Sequence, residues 1–539
     1  MRTASASLVA CAVCAVVGCG PAAVAPPRPA AAAAAMTPQF RRQLLDGAVS
    51  VLERLDEFDE VAATAQVFDR LNQWGQARTG ASRPWQADPL VATLPQPLRP
   101  LAAEATLAAA TFDAAGDVSA LRDARWLADI ARQVRGGFPA DDDLATATAL
   151  FRWTIRRLAP VGDPPMVPTD SNPGTRWMLP GEILLSGRGS AAQRAWIFLA
   201  LLRHAGLDGV MLATGDPASG PPRPWLPALI SGGEAYLFDP AYGMPIPGPD
   251  GAGVATARQA ATDAALLAAM SLPDRPYPVQ AADMKRLTAL VAADPWSLSR
   301  RMADLEAELG DTVGWRLAVE PTPLAERARA ALPGAVAAGL WEFPWETLAR
   351  RRDEAATAAM LRRELAPLAV SLVAVEAGKQ GRLRPGGARP LLAARIREFR
   401  GDLDGPEGAR AAYLAARPSR QAIAAAVAGA GPEQAEARRR LFEQMKEDAT
   451  YWLGILTLAE GEFDAAVDYL ERMTLGVAPD SRWSDAARLN LADAFLGLGR
   501  EADALKLLRA DASPQRFGSR LRADRLGRAA PQAEAPAAE

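Results

Sequence analysis

Apolar residues recur at helical spacing over much of this chain. Leu44, Val49, Val51, Leu52 and Leu55 form one series, and Leu121, Trp126, Leu127, Ile130 and Val134 another, with a proline-rich crossing at 84–100 between them. Together they predict an N-terminal helical domain over 37–135. A third series, Leu144, Ala147, Phe151, Ile155 and Leu158, follows the triplet Asp141, Asp142 and Asp143. Acidic side chains are stabilised at the start of a helix by its dipole, so the triplet reads as a helix start and not as a metal cluster.

From about residue 180 the periodicity changes. The pattern predicts a short strand at 182–186, a tight turn through Gly187, Arg188, Gly189 and Ser190, and a strongly apolar helix over 191–203 that Gly206 terminates. A strand at 210–213 follows. A hairpin of 226–231 and 234–238, joined by Gly232-Gly233, ends at Asp239-Pro240. Beyond 265 the signal is weaker. Helical runs are expected at 284–290 and 298–309, with strand-like pieces at 315–319 and 339–341. The basic triplet Arg350, Arg351 and Arg352 is followed at once by Asp353 and Glu354, which reads as a solvated helix face.

The C-terminal part carries an internal repeat. Leu453-Gly454, Gly461, Ala466 and Leu470 recur 38 positions later as Leu491-Ala492, Gly499, Ala504 and Leu508, with Trp452 and Phe495 flanking the series and Pro479 closing its first copy. This resembles two tetratricopeptide repeats, in which small residues let paired helices approach and large ones fill the space between them. The period exceeds the usual length of about 34 residues, which implies an extended turn at 480–483. Helices at 434–448 and 519–526 are expected to cap the pair. The resemblance implies a peptide or protein partner, with Trp452, Gly454, Trp483 and Phe495 as candidate binding residues. A helical stack with a purely structural role is the alternative.

The chain opens with Arg2, a polar run and a short apolar stretch from Leu8 to Val17, too short to span a bilayer. Its end, Val16-Val17-Gly18-Cys19, resembles the lipobox of bacterial lipoproteins. That resemblance implies cleavage before Cys19, acylation of Cys19, and attachment to the periplasmic face of a membrane, the outer membrane where one exists. Residues 19–36 are almost all alanine and proline and read as a tether. Cys11, Cys14 and Cys19 are the three cysteines, so the processed chain would hold no thiol apart from the acylated one. With one histidine, His204, the chain cannot assemble the usual zinc sets, and no cofactor is expected. His204 falls at a helix C-terminus, where a charged imidazole would suit the dipole. A net charge of −3 gives no footprint for nucleic acid.

The turn, helix, strand pair and Asp239-Pro240 over 136–265 resemble the core of transglutaminase-like domains, a papain-related α+β fold. That family places a cysteine at the start of the helix, a histidine on a following strand and an aspartate at the end of the next. The helix end favours the thiolate, the imidazole takes its proton, and the carboxylate orients the imidazole. Here the cysteine position falls on Ser190 or Ala191. The histidine position falls within 223–227, where Trp225 stands and no histidine occurs in any register. Asp239 alone matches. The resemblance therefore implies a pseudoenzyme that binds or assembles, against the alternative of a hydrolase or acyltransferase with an atypical Ser190/Asp239 site. Gly187, Gly189 and Ala192 also fit a dinucleotide fingerprint. Its acidic residue would be Asp216, 29 positions beyond Gly187 against about 20 expected, and no strand–helix alternation follows.

The expected fold class is α+β and predominantly helical. The expected order is a signal (1–18), the tether (19–36), the helical domain (37–135), the transglutaminase-like domain (136–265), a mixed α/β region (266–430), helical repeats (431–528) and a disordered tail (529–539).

Overall fold

The structure, a computed structural model, describes residues 37–529 except 56–57, 59, 78–84, 114–115, 164–176, 216–219, 311–312, 335–336, 354 and 372–388. The expected signal and tether with Cys19, Asp216, and 530–539 of the expected tail lie outside the described residues. The described part is predominantly helical, with two modest sheets.

The smaller sheet pairs β1 (Ala159–Pro160) with β2 (Arg188–Gly189) in parallel. The larger contains β3 (Asp208–Thr214), β4 (Arg223–Ser231), β5 (Glu234–Asp239), β6 (Met244–Pro245), β7 (Leu287–Val291) and β8 (Ala337–Leu340), in the order β6-β5-β4-β3-β7-β8. β3, β4 and β5 form an antiparallel meander, β7 runs antiparallel to β3, and β8 parallel to β7. Residues 266–430 thus extend the sheet built by the preceding segment.

Side chains alternate across a strand, and here both faces are buried. Val210, Leu212 and Leu237 enter one core, while Met211, Ala213 and Phe238 enter another on the opposite face. The Ala191–His204 helix covers the second face. Its Phe198 ring sits 5.0 Å from Phe238 and 5.3 Å from Phe151. The helix begins at Ser190, whose side chain accepts the Gln193 N–H while Gln193 reaches back to the Ser190 N–H. It ends at Gly206, with φ of 75° and the Leu207 N–H returning to the Leu202 carbonyl at 2.9 Å.

Between residues 180 and 352 four expectations change. Residues 182–186 are not a strand but lie in the Pro180–Ser186 helix, whose proline stands in the first turn and whose Glu182 bonds back to the Leu179 N–H at 2.8 Å. The run at 284–290 is a single turn followed by β7; all five β7 residues are buried, so no alternation marked the strand. Residues 315–319 join no sheet, because side chains capture their donors. Glu306 accepts the Leu317 and Ala318 N–H groups and His204 the Arg316 N–H. Arg351 is not on a free face: it spans to both oxygens of Glu182, at 2.7 and 2.9 Å.

The C-terminal region stacks helices Pro432–Ala459, Phe463–Val467, Ser484–Gly497, Glu501–Arg509 and Arg516–Ala529. Residues 434–448 are the first half of the 28-residue Pro432–Ala459 helix and form no separate cap. The segment Asp468–Leu475 winds as a π-helix, and the turn after it carries Trp483. The Trp483 ring stacks on Tyr451 at 4.3 Å and donates to Asp448 at 2.7 Å, which accounts for the lengthened repeat. Among the described residues no helix is long and apolar enough to cross a membrane.

Candidate functional site

Ser190 and Ala191 stand where the Ala191–His204 helix meets β2, and Ser190 is completely buried. Among the described residues the only hydrogen bond of the Ser190 hydroxyl is the one it accepts from Gln193. A serine in that role is a helix cap. Among the described residues its hydroxyl contacts no base of the kind a nucleophile requires.

Asp239, at the end of β5, is also buried, and each oxygen is occupied. Oδ1 accepts the Ala241 and Tyr242 N–H groups at 2.8 and 3.0 Å, and Oδ2 accepts the Tyr277 hydroxyl at 2.6 Å. Burial raises the Asp239 carboxyl above its ordinary range, opposed by these donors and by Arg194. Tyr277 in turn accepts the Trp225 indole N–H at 3.0 Å. Trp225 and Asp239 are therefore linked, but through Tyr277. The strand register slips between Leu212 and Ala213, leaving Trp225 without a cross-strand partner, and this bulge sends Trp225 to the same face as Leu226, away from the core helix. An indole N–H does not titrate, and burial together with Asp239 holds the Tyr277 hydroxyl well above its ordinary range. The chain of three is fitted to hold the loop after β5 and has no group poised to move a proton.

Arg194, one turn into the helix, closes the space that remains. Its guanidinium donates to the carbonyls of Pro240 at 2.9 Å and Ile155 at 3.1 Å and to the Gln515 side chain at 2.8 Å. Gln515 belongs to the C-terminal repeats, which lie directly over the site. A Cβ on Gly518 would stand 1.8 Å from the Tyr242 carbonyl oxygen, so only glycine allows this approach. The space left between repeats and core here is about 40 Å³, room for no more than a few waters.

The candidate partner-binding residues lie inside. Trp452, Trp483 and Phe495 are 2%, 0% and 3% exposed. Trp452 packs over Gly187, and the Arg395 guanidinium sits 3.5 Å from its ring centre. Gly454 is buried beneath Leu470. Trp483 packs on Tyr451 and Trp452 within the repeats, whereas Trp452 joins the repeats to the core. Asn490 and Asp493 of the Ser484–Gly497 helix likewise bind the Arg156 carbonyl and side chain, at 3.3 and 3.1 Å. A buried group beside them, Arg157, Arg395, Tyr413 and Glu398, is mutually hydrogen-bonded, and the two arginines hold the Glu398 carboxyl below its ordinary range against its burial.

His204 does not serve the helix dipole as a cation. Burial, with Arg203 and Arg316 nearby, drives its imidazole well below its ordinary range, and Nδ1 accepts the Arg316 N–H. The neutral ring pins the 315–319 segment. Sequence reasoning passed over Arg194, Arg203, Tyr277 and Gln515. Arg194 and Arg203 were visible as the two arginines in a mostly apolar helix; Tyr277 and Gln515 carried no local signal. No group of three metal-ligating side chains occurs among the described residues.

A tetratricopeptide repeat family model matches residues 457–523. This agrees with the stacked helices there and with a role for such repeats in protein interaction. Neither the curated proteins nor the solved structures yield a significant match to the chain.

Proposed function

We propose that this chain is a membrane-tethered cell-envelope binding or assembly protein, built on a transglutaminase-like core without catalytic residues. The observation that carries this reading is the closed N-terminal end of the core helix. Ser190 is a buried cap, Trp225 is turned away, Asp239 is saturated with donors, and the repeats fill the space above with Gln515. The order of capped helix, antiparallel meander and terminal Asp-Pro supports the family assignment, and the lipobox-like residues 16–19 support the tether. The inner helices of the repeats face the core of the same chain. A protein partner is therefore met on their solvent-facing side, where Val477 is 74% exposed.

The full-length protein, produced in a bacterial host fed an alkyne-bearing fatty acid, should carry the label and sediment with membranes. Cys19→Ala should abolish both. An unlabelled wild type would sink the tether. The same protein should stay unmodified by a fluorophosphonate; labelling that disappears in Ser190→Ala would instead establish the serine hydrolase alternative.

A further inference from the structure

A cavity of about 710 Å³ opens at the opposite end of the core helix, within the range of about 300–1,000 Å³ common for small-molecule sites. It lies between that helix, the start of β3, the Arg300–Leu309 and Pro321–Ala331 helices and the segment pinned by His204. Trp196, Leu199 and Leu324 form an apolar wall.

Arg203 lines this cavity and forms no hydrogen bond or ion pair with any described residue; its Nε is buried without an acceptor. Nearby acids do not answer it. Asp208 is engaged by Arg327, at 3.0 Å through Nη2, and one oxygen of Glu306 takes two backbone N–H groups. Asp294 accepts the Ser297 N–H at 2.8 Å. Burial lowers Arg203 from its ordinary range despite the fields of Asp294 and Glu306, as expected for a cation without a contact partner. Arg203 is half-buried, so only its Nε is withheld from solvent, and its remaining donors are open to the cavity; a guanidinium so placed binds a carboxylate through two parallel hydrogen bonds.

We propose that this cavity is a binding site for a small apolar carboxylate, its carboxylate on Arg203 and its hydrocarbon part against Trp196 and Leu199. A singly charged group fits better than a phosphate dianion, because the acids on the walls, Asp208, Asp294, Glu306 and Glu320, outnumber the arginines, Arg203, Arg316 and Arg327, and would repel a second negative charge.

N-acetyl-leucine serves as the probe and N-acetyl-leucinamide as its uncharged twin, with binding read by calorimetry and saturation-transfer NMR on the full chain. The acid should bind at least about tenfold more tightly than the amide, the scale of one charge-assisted contact. Arg203→Met should remove that preference while melting at the same temperature or higher, since no partner is lost and the unmatched Nε donor is gone; Arg203→Lys should retain part of it. Failure of the acid to bind at millimolar concentration, equal binding of acid and amide, tighter binding of inorganic phosphate, or undiminished binding to Arg203→Met would each overturn the proposal.

Discussion

The two ends of the Ala191–His204 helix each place an arginine in buried surroundings and treat it oppositely. At the N-terminal end Arg194 reaches three oxygen acceptors, one supplied by the repeats, and the space around it is closed. At the C-terminal end Arg203 reaches none and faces an open cavity. Burial opposes the charge of both. Where the compensating groups belong to the fold, the arginine is part of the architecture; where they are missing, the fold holds a charge at a cost to its stability. The location a family resemblance marks for chemistry is thus the end of this helix where the arginine's two terminal nitrogens are matched, and the guanidinium with no partner among the described residues is at the other; the Nε atom is unmatched at both.

The largest effect should come from the buried charges behind the finished end. Glu398→Ala leaves Arg157 and Arg395 buried without their carboxylate and should lower unfolding free energy by about 3–5 kcal/mol in urea titration. A loss under about 1 kcal/mol would mean that water reaches these arginines and the end is not closed. Next, Arg194→Met strands the Gln515 side chain and two carbonyls and should cost about 2–3 kcal/mol. Set beside the neutral or stabilising Arg203→Met, this is the direct measure of the contrast; equal effects for the two variants would erase it.

The smallest effect is a pH slope at the open end. Folded His204 stays neutral while the unfolded chain's histidine takes up its proton near pH 6.5, so the unfolded state binds the extra proton. Stability should be fully present above that pH and fall as pH drops below about 6.5, by up to about 1.4 kcal/mol per unit. Urea titrations of the wild type and His204→Gln between pH 7.5 and 5.5 read this term, since His204 is the single histidine. Parallel slopes for the two proteins would place a charged imidazole in the fold, as the dipole argument from sequence expects.

Periodicity and punctuation determined the local elements of this protein. The apolar run ended by Gly206, the Gly232-Gly233 hairpin, the cap at Asp142 and the recurrence of Gly461 as Gly499 were all legible, because each depends on side-chain spacing or a backbone preference within a few residues. The repeat was legible for the same reason. Tertiary structure alone decided what those elements meet. The strand at β7 hid because both its faces are buried, and the expected strand at 315–319 gave its donors to Glu306 and His204, more than ten residues away or further. Trp452, Trp483 and Phe495 read as a binding surface, but the stacking of the repeat helices buries all three and sets Trp452 over Gly187 of the core. Whether Arg194 or Arg203 finds a partner depends on chain 39 to 321 residues distant, and no local pattern encodes the balance between a buried charge and the acceptor that would satisfy it.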